Sequence, residues 1–158
     1  MPVKRSDLFC KKRVGIIGGN FPEEKFLKEA EKMGELIARS GYVLVNGGMG
    51  GVMEASARGA HAAAGLVIGI LPGKSTEEAN PYIDIAIPTG LGYMRNAMVI
   101  MNTDVLVAID GSYGTLSEIA YARIYKKTIF GLNTWDIEGV IHLKDPGEVI
   151  ERIDALFK

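Results

Sequence analysis

A single cysteine, Cys10, stands among the 158 residues, which excludes an internal disulfide and a cysteine metal cluster. The two histidines, His61 and His142, lie far apart and lack metal-ligand spacing, so no metal site is expected. No apolar run approaches the ~18 residues of a membrane span, and none precedes Arg13 that would act as a secretory signal. A cytoplasmic protein with no membrane partner is the expectation. An excess of one charge is missing too. Eighteen basic against nineteen acidic side chains leave a net charge of −1, which offers no field to attract nucleic acid. The basic residues Lys4, Arg5, Lys11, Lys12 and Arg13 read as a solvated lead-in to the first strand.

What is present is globular. Apolar residues make up 47% and charged residues 23%, and the length suits one domain spanning 1–158. Strand and helix patterns alternate throughout. Val14–Ile17 reads as a buried strand, followed by a helix from Pro22 to Ser40 that presents Phe26, Ala30, Met33 and Ile37 on one face and closes at Gly41. Strands follow at Tyr42–Val45, Leu66–Leu71, Ile83–Ile87, Val105–Ile109 and Thr128–Phe130. Helices are expected at Val52–Ala64, ended by Gly65, then at Leu91–Met101, Thr115–Lys126, and after the N-cap Asp145. Continuous apolar strands between amphipathic helices imply an α/β fold, a Rossmann-like doubly wound parallel sheet with helices on both faces. Ligands of such sheets bind at the carboxyl ends of strands, where strand order reverses.

Three strand-to-helix turns carry the chemistry. They are Gly18-Gly19-Asn20, Asn46-Gly47-Gly48-Met49-Gly50-Gly51 and Asp110-Gly111-Ser112-Tyr113-Gly114-Thr115. A phosphate needs backbone N–H groups at hydrogen-bond distance, and a Cβ there would keep the anion away. Three such turns at one sheet edge point to a phosphorylated small molecule. A dinucleotide is disfavoured, because Gly18-Gly19 does not extend to G-x-G-x-x-G and the second strand ends in Asn46 instead of an acid. Gly69-Ile-Leu-Pro-Gly73-Lys74-Ser75 falls one residue short of a P-loop, and the segment through Pro81 reads as a surface loop that closes over the site. Arg95 interrupts an apolar helix, a costly place for a cation unless it faces a cleft. Glu118 admits two readings. Thr115-Leu-Ser-Glu118 has capping-box spacing, which spacing alone favours, and Glu118 also stands beside the third turn.

The string Asp110-Gly-Ser-Tyr-Gly-Thr-Leu-Ser-Glu118 resembles the P-G-G-x-G-T-x-x-E signature of the LOG (Lonely Guy) family within the SLOG superfamily, long mislabelled as lysine decarboxylases. Asn46–Met53 resembles that family's second glycine turn, and Met94-Arg95 the start of its M-R-x-R-K motif. The resemblance implies a Rossmann-like subunit in a homodimer or homotetramer. It also implies hydrolysis of the N-glycosidic bond of a nucleoside 5′-monophosphate, with Arg95 positioning the substrate, Glu118 acting at the ribose and no cofactor. By the same resemblance Met94, Gly111, Ser112, Tyr113, Gly114 and Thr115 line the nucleotide site, with the phosphate on the 111–115 turn. Gly18, Gly19, Gly47 and Gly48 would shape the walls. A pyridoxal enzyme is rejected, since it needs a Schiff-base lysine, usually within a far larger architecture, and no lysine lies in a strand-end motif except Lys74, in a loop.

The chain departs from the signature at Ala97, Met98, Asp110 and Ser112. In this it looks like a short bacterial and archaeal branch similar to the molybdenum cofactor carrier proteins, which bind a pterin phosphate without turnover. Hydrolase, carrier and partner-coupled sensing module all remain open on sequence. Tyr93, Met94, Met98 and Met101 exceed what one sheet face can bury, which suits a subunit interface.

Overall fold

The computed structural model describes residues 11–158; Cys10, Lys4 and Arg5 lie outside them. Seven strands form one all-parallel sheet in the order β4-β3-β2-β1-β5-β6-β7. They are β1 Arg13–Gly18, β2 Val43–Asn46, β3 Val67–Leu71, β4 Ile85–Pro88, β5 Val105–Ile109, β6 Thr128–Leu132 and β7 Val140–His142. Four α-helices lie between strands, α1 Glu24–Arg39, α2 Val52–Ala62, α3 Arg95–Met101 and α4 Tyr113–Ile124, and α5 Pro146–Leu156 follows β7. This is the α/β, doubly wound arrangement read from the alternating pattern.

The strands are apolar on both sides because both sides are covered. Ile16 and Leu44 face α1, α2 and α5 through Met33, Ile37, Val52 and Ile153. Ile17 and Val45 face α3 and α4 through Val99, Ile100 and Ile119. Strand order reverses between β1 and β5, which pair in parallel from Val14–Val105 to Gly18–Ile109. The loops after these two strands therefore diverge to opposite sides and leave a crevice at the sheet edge.

Several boundaries differ from expectation, each for a local reason. Pro22 lies before α1, whose N-cap is Glu23. Ala64, not Gly65, takes the left-handed turn after α2 (φ 58°), with Gly65 N–H donating to Ala60 O at 2.8 Å in a Schellman closure. Gly65 is small for a different reason: a Cβ there would sit 2.4 Å from the Ala38 Cβ. The helix read as Leu91–Met101 is split into a 3-10 turn at Gly92–Met94 and α3, so Arg95 begins the α-helix. β7 had no counterpart in the sequence reading.

Candidate functional site

A cavity of about 440 Å³ opens at the carboxyl edge of the sheet, beside the β1/β5 reversal. The 18–20 turn, Gly47, the start of α3 and the first turns of α4 enclose it. Of the residues singled out from sequence, the structure gathers Gly18, Gly19, Asn20, Gly47, Arg95, Ser112, Tyr113, Gly114, Thr115 and Glu118 around this space. Gly48, Met94 and Gly111 do not line it. Met94 instead points to the outer surface, 67% exposed. The Gly73–Pro81 segment is not part of the lining either. Asn80 fastens it to the second glycine turn by donating from Nδ2 to Met49 O and from its backbone N–H to Gly48 O, both at 2.9 Å.

The three glycine turns are unequal. At the second, the first N–H of α2 is already occupied, since Val52 donates to Gly19 O at 3.0 Å. The glycines there satisfy the protein's own packing. A Cβ on Gly51 (φ 62°) would meet Gly19 O at 2.3 Å, and one on Gly47 would meet Arg95 Nη2 at 2.6 Å. The third turn is different. α4 begins at Tyr113, and no side chain among the described residues caps its N-terminus. The N–H groups of its first turn have no intrahelical acceptor and carry the positive end of the helix dipole. Asp110 occupies the left-handed region (φ 51°) and lies outside the cavity lining, its carboxylate turned toward Gly19.

Because α4 starts two residues before Thr115, the Thr115–Glu118 capping box does not form. Thr115 lies inside the first turn, and its Oγ1 is buried without a hydrogen-bond partner among the described residues. Glu118 is buried at the cavity wall, and burial pushes its carboxyl up to about 8 against the opposing pull of Arg95. At neutral pH it is predominantly the acid and can donate a hydrogen bond.

Arg95 is buried and points inward from the start of α3. Its Nε donates to Ile70 O at 2.9 Å, Nη1 to the Asn96 side chain, and Nη2 to Gly47 O at 3.4 Å. Burial lowers its ordinary value, with Glu118 and Tyr93 opposing. Asn96 and Ser117 escaped the sequence reading. Asn96 Nδ2 donates to Ser117 Oγ at 3.0 Å, joining α3 to α4 beneath the cavity. No pattern in the chain marks them, because their meaning arises only when two helix faces meet. Among the described residues no group of three His, Cys, Asp or Glu could hold a metal, and no helix is long and apolar enough to cross a membrane.

Residues 11–153 match the model of the SLOG cluster4 family. The chain belongs to that family. Among relatives of this SLOG cluster4 chain is an uncharacterized protein of Archaeoglobus fulgidus, 42% identical over 139 residues that cover 87% of this chain and 91% of that one. A probable cytokinin riboside 5′-monophosphate phosphoribohydrolase of rice is 29% identical over 77% of this chain, which spans 54% of the rice protein. In structure, the molybdenum cofactor binding protein of Rippkaea orientalis is similar with a TM-score of 0.89 and 37% identity, covering 94% of this chain and 98% of that one. The molybdenum cofactor carrier protein of Chlamydomonas reinhardtii gives 0.86 and 33%, with 92% and 98% covered. DNA processing protein A of Helicobacter pylori, at 18% identity and a TM-score of 0.74 over 98% of this chain and 86% of that one, shares the fold alone.

Proposed function

We propose that this protein binds a phosphorylated heterocycle of the molybdenum cofactor type in the cavity and holds it without breaking a bond. The observation that carries this reading is the cavity wall itself. Burial holds Glu118 predominantly in its acid form at neutral pH, and the Arg95 guanidinium already donates to two backbone carbonyls and Asn96. Cleavage of an N-glycosidic bond builds positive charge on the sugar and calls for an ionised carboxylate beside it. A wall of hydrogen-bond donors and acceptors whose carboxyl is held in the acid form suits the edge of a pterin instead. Thr115 Oγ1, buried and unpartnered, is a polar atom whose partner a ligand can supply. The free N–H groups at the start of α4 would take the phosphate, with the Arg95 charge nearby.

The phosphorylated-ligand reading also has the support of the carrier proteins that resemble this chain at 33–37% identity. The rice relative, together with Arg95 and Glu118 in one cavity, favours phosphoribohydrolase activity as a second reading. One experiment separates them. The purified protein is offered 6-hydroxymethylpterin monophosphate and AMP, with calorimetry for binding and chromatography for free base. A carrier retains the pterin phosphate, loses it on Arg95→Ala and releases no adenine. Failure of pterin phosphates to bind overturns the carrier reading. Adenine release faster with wild type than with Glu118→Gln establishes the hydrolase.

We further propose a homodimer or homotetramer. Met98 and Met101 on α3, with Met94 in the 3-10 turn before it, form an exposed apolar stripe, and Ile85 and Ile87 of the edge strand β4 are exposed as well. A second copy of this chain would bury that stripe. The assembly is proposed as cytoplasmic, in one domain per chain.

A further inference from the structure

The cavity mouth carries aromatic rings that a phosphate does not need. Tyr93 and Tyr113 both line it, and each is 81% exposed. A tyrosine so open to solvent forgoes the burial that normally stabilises an aromatic side chain. Tyr113 is nonetheless held in place. Its ring lies against Trp135, with centroids 6.1 Å apart and planes 31° from parallel. The Trp135 indole N–H donates to Ser112 O at 3.0 Å, which fixes the indole to the residue preceding Tyr113. Tyr93 sits in the 3-10 turn that leads into α3. The Asn96–Ser117 hydrogen bond joins the start of α3 to α4, so the two rings ride on elements fastened to each other.

We propose that Tyr93 and Tyr113 form a ring-binding mouth that restricts this site to monophosphates bearing a flat aromatic heterocycle and disfavours sugar phosphates that carry no aromatic ring. The inference rests on the phosphorylated-ligand reading and adds the feature that selects among such ligands. Pre-positioned aromatic faces suit a heterocycle because every such ring presents a π-face, while an aliphatic sugar presents none. The side chain of Tyr113 and the uncapped N–H groups of its own helical turn then serve opposite ends of one ligand. Tyr113 offers its ring to the heterocycle while its backbone faces the anion.

The test uses the intact chain and three probes: 6-hydroxymethylpterin monophosphate, AMP and ribose 5-phosphate. Affinities come from calorimetry, and the emission of the single tryptophan, Trp135, reports occupancy beside Tyr113. Tyr113→Leu and Tyr93→Leu should each weaken the better-bound heterocyclic probe on the order of tenfold. Tyr113→Phe, which keeps the ring, should hold affinity near wild type. Ribose 5-phosphate should bind weakly, equally to all variants, and leave Trp135 emission unchanged. Both tyrosines are exposed, so thermal unfolding of the leucine variants should match wild type. If ribose 5-phosphate binds as tightly as the heterocyclic probes, or if the leucine variants bind them as wild type does, the ring-binding mouth is overturned while the phosphate site stands. If none of the three probes binds, the phosphorylated-ligand reading falls with it.

Discussion

Glu118 shows how one buried acid couples the fold to pH. Burial pushes its folded value up to about 8, above the ordinary carboxyl value of 4.5, so between these limits the folded chain holds a proton that the unfolded chain releases. The stability contributed by the protonated form is fully present below pH 4.5 and is lost as pH rises through about 8. Denaturant unfolding of the ligand-free protein should therefore weaken across that window, with a slope approaching about 1.4 kcal/mol per pH unit from this group. Glu118→Gln cannot ionise, so its slope should be flatter and its stability at pH 8 higher than wild type. An unchanged pH profile in Glu118→Gln would show that the carboxyl titrates normally. Arg95 behaves differently at the same scale. It answers the cost of burying a cation with backbone carbonyls and Asn96 instead of a carboxylate, and Gly47 lacks a Cβ where the guanidinium lies.

At the scale of elements, the start of α4 decides most. A Thr-x-x-Glu spacing reads as a cap, but the turn after β5 winds into a helix two residues earlier, and Thr115 Oγ1 is left buried without a partner. Thr115→Val removes that unpartnered hydroxyl at nearly constant volume. The ligand-free variant should be as stable as wild type or about 1 kcal/mol more so by thermal unfolding, while affinity for the ligand falls. A loss of stability would mean that the hydroxyl caps the helix after all. The same region shows what a sequence can and cannot display. β5 was legible at both ends because an apolar run, Val105–Ile109, is bounded by Asp104 and Asp110. β7 was not, being three residues long with Ile141 and His142 exposed at the sheet edge. Gly18, Arg95 and Ser112–Thr115 were legible because glycine turns and a cation in an apolar helix are local anomalies. Asn96 and Ser117 were invisible because a polar residue on a helix acquires its role only from the helix opposite. Tyr93, read as surplus apolar surface, belongs to the cavity.

Across the whole molecule, apolar surface is divided between two tasks. Tyr93 and Tyr113 line the cavity, while Met94, just before α3, and Met98 and Met101 on it form an exposed outer stripe. A charge placed in that stripe tests the assembly without touching the ligand site. Wild type should sediment above the 17.0 kDa of one chain at micromolar concentration, and Met98→Glu together with Met101→Glu should return it to monomer. A wild-type protein that sediments only as a monomer would refute the assembly.

The sheet order has a consequence for how the chain is made. β1, the first strand among the described residues, is central in the finished sheet, with β2 on one side and β5 on the other. Until residues 105–109 leave the ribosome, one whole hydrogen-bonding flank of β1 is bare, and the apolar Val14, Ile16 and Ile17 stand on an open edge. Such an edge is a template for pairing with other chains. Until β5 is made, the partial sheet relies on its surroundings and not on its own fold to stay free of aggregation.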